Sequence, residues 1–107
     1  MKIPKKLKVA GRVYSVELTP EVMALDGVQS YGQVRFSNSS MKLCTKIDGN
    51  TRNNASLCVS FLHEIIHAID SAYGESDLTE EQIDSLAEGL YQVLKDNKLD
   101  FSEREKL

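Results

Sequence analysis

The sequence predicts a small α+β domain, and three observations carry that reading. Residues 1–50 are mainly strand-like, with β-branched and aromatic residues interrupted by glycine-bearing turns. Residues 55–73 and 79–97 instead carry apolar side chains at three- and four-residue spacing, the period of two amphipathic helices. The chain has 107 residues, which is the size of one domain. Strands first and helices after describe a small twisted sheet, antiparallel or mixed, packed on one helix with a second helix C-terminal to it.

Each element has a local reason. Leu7–Val9 and Arg12–Leu18 flank Ala10-Gly11 and read as a hairpin. Thr19-Pro20-Glu21 reads as the cap of a short helical turn through Leu25, ended by Asp26-Gly27. Tyr31–Phe36 and Met41–Ile47 form a second strand pair across the polar run Ser37-Asn38-Ser39-Ser40, and residues 48–54 are a loop by composition. In the first helix, Leu57, Phe61, Leu62, Ile65, Ile66, Ile69 and Tyr73 draw the apolar face, and Gly74 stands at the C-cap. Thr79-Glu80-Glu81-Gln82 is a capping-box sequence that opens the second helix. Ile83, Leu86, Ala87, Leu90, Val93 and Leu94 form the face of that helix, and residues 98–107 read as a frayed tail.

Composition narrows the function classes. Hydrophobic residues make up 41% and charged residues 27%, an ordinary globular balance. No apolar run reaches the roughly 18 residues that cross a bilayer, and the basic N-terminal MKIPKKLKV has no apolar stretch behind it. The expectation is a cytoplasmic protein without a membrane partner. Residues 1–53 hold nine Lys/Arg against four Asp/Glu, and residues 54–107 hold four against twelve. The lysines are thinly spread without interleaved aromatics, so no nucleic-acid partner is expected. Cys44 and Cys58 are too few for a disulfide framework and read as small buried hydrophobes.

The chemistry concentrates at His63-Glu64-Ile65-Ile66-His67, an HExxH sequence inside the first predicted helix. Residues four apart lie on one helix face, so both imidazoles can ligate one Zn²⁺. Glu64 stands where it can accept a proton from a water held by that ion. His63 and His67 are the only two histidines of the chain. Chance places two residues four apart roughly 2% of the time, and with glutamate after the first roughly 0.15%.

A catalytic zinc takes three protein ligands and keeps a fourth position open. With no third histidine, the remaining ligand is expected to be a carboxylate of the second helix, from among Glu80, Glu81, Asp84 and Glu88. At 100° per residue, Asp84 lies at the border of the apolar face in line with Tyr91, and it fits best. Glu80 is nearer the centre of that face but in the first turn, while Glu81 and Glu88 point further out. Glu88 suits an outer role, orienting an imidazole, and so does Asp70, one turn after His67.

The run Phe61–Asp70 followed by Glu80–Asn97 resembles small HExxH proteins encoded by phages and prophages. These are similar to minimal gluzincin-type metallopeptidases, with a distant likeness to the ImmA/IrrE antirepressor peptidases. The resemblance spans roughly residues 31–97 and implies a zincin-like core, in which the second helix supplies an acidic ligand in a Glu-x-x-Ala pattern. The matching position is Asp84, three residues before Ala87, where aspartate stands in place of the usual glutamate. Glu88 follows Ala87 and is the alternative carboxylate.

These readings together anticipate a zinc-dependent peptidase acting on a peptide or protein substrate. His63, His67 and Asp84 would bind Zn²⁺, and Glu64 would be the catalytic base. A strand over 41–47 would hold extended substrate by backbone pairing, and Tyr91 is a further candidate donor. The alternative is a zinc-bound regulatory module of a phage that turns nothing over. Substrate specificity and oligomeric state are open at this level.

Overall fold

The computed structural model describes residues 2–21, 23–25, 28–75 and 77–99. The elements run β1 (Lys6–Val9), β2 (Arg12–Thr19), β3 (Met23–Leu25), β4 (Val28–Ser30), β5 (Gly32–Arg35), β6 (Ser40–Cys44), β7 (Lys46–Ile47), β8 (Asn50–Thr51), α1 (Asn54–Tyr73) and α2 (Glu80–Asp96). The α+β class and the mixed sheet are as expected. β1, β2, β6 and β5 form one sheet in that spatial order, and β3–β4 and β7–β8 are separate two-stranded ribbons. Among the described residues, no helix is long and apolar enough to cross a membrane.

The β1–β2 hairpin turns at Ala10 and Gly11, with φ of 52° and 80°. Two consecutive positive φ values are the geometry whose twist matches the flanking strands. Asp48 and Gly49, at 50° and 79°, close the β7–β8 ribbon in the same way. The expected loop over 48–54 is therefore in part a short hairpin.

Two strand readings are corrected. Residues 23–25 are not part of a helical turn but pair antiparallel with β4, Leu25 opposite Val28. Cross-strand backbone bonds outweigh the weak helical preference of so short a segment. Val22, Asp26 and Gly27, which the helical reading also covered, lie outside the described residues. The second correction concerns the strand over 41–47, whose main part is β6. It is central, parallel to β2 on one side and antiparallel to β5 on the other. Both of its edges are used, so it cannot hold a substrate by pairing; β1 and β5 are the sheet's edge strands, and β5 is the one beside α1's histidines.

Helix α1 is the middle layer, and its sequence divides into three faces. Phe61 and Ala68, with Leu57 and Ile65, pack on Val9, Tyr14, Val16, Met41 and Leu43 of the sheet. Leu62 and Ile66 pack on Ile83 and Ala87 of α2, joined at the margin by Val59, Leu78, Tyr91 and Leu94. At 100° per residue, Ser56, Ser60, His63 and His67 share a sector roughly 60° wide between those two faces. That sector is left for a cleft. Ile69, Tyr73, Leu86, Leu90 and Val93, all expected on apolar faces, are exposed because α1 buries only its faces toward the sheet and α2, and α2 only its stripe toward α1. Cys44 and Cys58 are fully buried and form no disulfide, and the Cys44 thiol donates to the Lys46 carbonyl.

The helix ends at Gly74 and Thr79 follow the expected capping signals, and Asn53, within the stretch read as loop, adds an N-cap to α1. Asn53 caps α1 by accepting from the Ser56 amide, and Thr79 and Gln82 form the reciprocal capping box of α2. Gly74 is the C-cap of α1, though its φ of −96° is open to any residue. Glycine is needed there for space, since a Cβ would come 2.5 Å from Asp70 Oδ1. Asp70 is buried and accepts from the Leu78 amide at 3.2 Å, holding the connector between the helices against the end of α1.

Candidate metal and active site

The connector is short, so the first turn of α2 comes to rest beside the middle of α1. There the imidazoles of His63 and His67 face each other, Nε2 to Nε2, at 3.2 Å. Glu80 joins them with both carboxylate oxygens, Oε2 at 3.1 Å from His63 Nε2 and Oε1 at 3.0 Å from His67 Nε2. The Nδ1 of His63 lies 2.8 Å from Asp84 Oδ1, one helical turn further along α2.

This arrangement sorts the candidates. With Nδ1–H donated to Asp84, the Nε2 lone pair of His63 faces His67 and Glu80. Two imidazole nitrogens and a carboxylate so close together repel unless positive charge lies between them, either protons on the rings or a cation. Ligand atoms about 2.05 Å from a tetrahedral metal ion stand about 3.3 Å apart, close to the separations found here. His63, His67 and Glu80 could therefore hold a metal ion.

Asp84, the acid favoured from helical projection and family resemblance, meets His63 at its outer nitrogen rather than joining the Nε2 pair. That is the position of a carboxylate that fixes the tautomer and orientation of a ligating imidazole. Glu88 lines the cleft further along and is exposed. Glu81 is exposed in the first turn of α2. Asp70 serves the connector and not a histidine. Tyr91 lines the cleft with its ring against the interhelical cluster. Helical projection ranks Glu80 below Asp84 because it falls in the first turn of α2. The signal was present, however, because the capping box fixes it as the first helical residue and a six-residue connector holds that turn against α1.

Glu64 is 5% exposed, buried between the histidine face and the sheet. Burial, reinforced by the nearby charges of Glu80 and Asp84, pushes its carboxyl up to about 8. A group so shifted can hold or release a proton near neutral pH, as a general base or acid must.

Strand β5 supplies the floor beside it. A Cβ on Gly32 would lie 2.9 Å from Glu64 Oε2 and 3.1 Å from Leu43 Cδ2, and both neighbours are buried. Gly32→Ala is therefore expected to push Glu64 out of place and to cost about 1–3 kcal/mol of stability, without touching His63, His67 or Glu80. Thermal unfolding and zinc titration of the variant check this, and an unchanged Tm would mean that β5 does not hold Glu64.

Gly32, Gln33 and Val34 of this edge strand line the same cleft as His63, Glu64, His67 and Glu80. Comparison with protein-family models, with curated proteins and with solved structures finds no match to this chain.

Proposed function

We propose that this protein is a zinc-dependent peptidase that hydrolyses peptide bonds. The observation that carries the reading is the convergence of His63, His67 and Glu80 within hydrogen-bond distance of one another, with the buried Glu64 one residue from His63. Two imidazoles and one carboxylate are the donor set of catalytic rather than structural zinc, since three ligands leave a fourth position open. When bound there, zinc would supply Lewis acidity to the scissile carbonyl and to the attacking water.

The chain's own residues would do the rest. Asp84 keeps the Nδ1 proton of His63 and so presents Nε2 to the ion. Glu64 takes the proton of the attacking water and hands it to the leaving amine, a transfer suited to a carboxyl whose affinity for protons is raised. The edge strand β5 offers backbone pairing to an extended chain laid along the cleft, which would bring a peptide bond past Gly32 and Glu64. The likeness to phage-encoded HExxH proteins points the same way.

The test has two arms, elemental analysis of untagged protein and incubation with a mixed-sequence peptide library read by mass spectrometry. One zinc per chain and cleavage that disappears in Glu64→Gln are expected. Zinc without cleavage would leave a metal-bound regulatory module. Absence of bound zinc, with no thermal stabilisation on adding it, would overturn both.

A further inference from the structure

The cleft has two ends of opposite charge. Glu64, Glu80, Asp84 and Glu88 line one, and Arg52, only 8% exposed, is built into the wall of the other. The Arg52 guanidinium donates from Nε to Ser56 Oγ at 3.2 Å, and from Nη1 to the carbonyls of Cys44 at 2.8 Å and Tyr31 at 3.3 Å. Its Nη2 donates to Ser60 Oγ at 2.6 Å and to Ser56 at 3.0 Å for O and 2.9 Å for Oγ. The Tyr31 ring lies against it, 5.2 Å from centroid to guanidinium carbon. Every acceptor is neutral, and among the described residues no carboxylate pairs with it. A guanidinium stays charged at any working pH, so one full positive charge stands in the cleft wall without a counter-ion.

The two serines carry that charge toward the cleft. Each hydroxyl accepts from the guanidinium, so its own hydrogen turns away from Arg52. Both line the cleft, and both lie on the α1 sector that holds His63 and His67. By helix rise, Ser60 is about 4.5 Å and Ser56 about 10.5 Å from the level of His63. The first turn of α1 contains no acidic residue to offset the positive end of the helix dipole. Neutral acceptors inside, hydroxyl donors outside and an uncompensated cation behind them make a site for an anion.

We infer that Ser56 and Ser60, backed by Arg52, form a subsite for a carboxylate of the bound peptide, either its C-terminal carboxylate or an Asp or Glu side chain. At about 3.3 Å per residue, the carboxylate lies one to three residues from the bond held at the histidines. The inference rests on the peptidase reading for the identity of the ligand, but the binding it describes does not require turnover. It makes the cleft directional, with the anionic part of the substrate at Arg52 and the scissile carbonyl at His63 and His67.

The experiment uses metal-free protein, so that no ion can attract the anion. Two pairs of peptides are titrated while the Arg52 side-chain Nε–H and Ser60 amide resonances are followed by NMR. One pair is an acetylated alanine tetrapeptide as free acid and as amide; the other is a doubly blocked peptide carrying one glutamate, and its glutamine counterpart. At least one acid is expected to bind about tenfold tighter than its neutral partner, to move both resonances, and to weaken as salt is raised. Whichever pair responds identifies the source of the carboxylate. The Ser56→Ala/Ser60→Ala variant is expected to lose the preference; where that variant does not fold, the wild-type comparison decides alone. Equal affinity for acid and neutral peptides, or binding of neither, overturns the subsite. A preference for the acid in a protein that cleaves no peptide keeps the subsite and removes the peptidase reading.

Discussion

Replacing Glu80 with alanine is expected to weaken zinc binding by at least about a hundredfold, whereas Asp84→Ala is expected to weaken it by about ten- to a hundredfold. The difference follows from which nitrogen each acid meets. Glu80 places an oxygen 3.0–3.1 Å from both Nε2 atoms and stands where it can share an ion with them. Asp84 touches only His63 Nδ1, so its removal frees the ring to rotate or change tautomer while all three donors remain. Both acids are exposed, and removing either leaves the Leu62–Ile66–Ile83–Ala87 cluster intact. Neither variant should therefore unfold, and competition with a chromophoric chelator can rank them directly. A larger loss for Asp84→Ala would restore Asp84 as the ligand and reduce Glu80 to a surface charge.

The second large effect is expected at Glu64. Glu64→Gln should lower peptide hydrolysis by about 10²–10⁴, the usual contribution of a positioned general base, with zinc stoichiometry unchanged. The same residue carries a pH signature that is readable without substrate. Its carboxyl titrates near 8 in the metal-free fold, against an ordinary value of 4.5. The folded state thus holds a proton that the unfolded chain has already released, and stability falls as pH rises between those values. Metal-free wild type is expected to lose on the order of a few kcal/mol from pH 4.5 to pH 8, and Glu64→Gln to lack that slope. A divalent ion beside the carboxylate reverses the local field, so zinc binding near pH 7 should expel the Glu64 proton. Calorimetry in buffers of different ionisation enthalpy measures that proton, and equal release by Glu64→Gln would assign it elsewhere.

How far the site could be read from sequence depended on the range of the interactions that build it. His63, Glu64 and His67 are related by helix geometry alone, and the helix around them is fixed by a regular apolar pattern ending at Gly74. The capping box placed the start of α2 for the same local reason. The identity of the third carboxylate is a different kind of question. Helical projection ranks acids by angle, whereas contact with the histidines also depends on how far α2 slides along α1. The Asp70–Leu78 bond and the crowding at Gly74 set that slide, and neither is a periodic signal. The sheet divides in the same way. The β1–β2 and β5–β6 hairpins were legible from their turns, but the parallel pairing of β2 with β6 joins residues far apart in sequence and decides that β1 and β5 are left at the edges. Arg52 sits in a stretch whose composition reads only as loop, so its burial came from tertiary contacts that no local pattern announced.

The attachment of α2 has a consequence beyond chemistry. This helix packs on α1 through a small apolar stripe and turns toward it the acids Glu80 and Asp84, close to Glu64. Without a cation, Glu80 and Asp84 hold α2 at the end of that stripe only through their contacts with the two histidines. With one, His63 and His67 on one helix and Glu80 on the other are tied together across only a dozen intervening residues, as a cross-link ties a short loop. A bound ion stabilises whatever state can hold it, by an amount that grows with its concentration relative to Kd. A bound ion would thus make the outer helix a latch at the histidine end of the groove. The Arg52 end, whose contacts are to Tyr31, Cys44, Ser56 and Ser60 and not to α2, keeps its shape in either state.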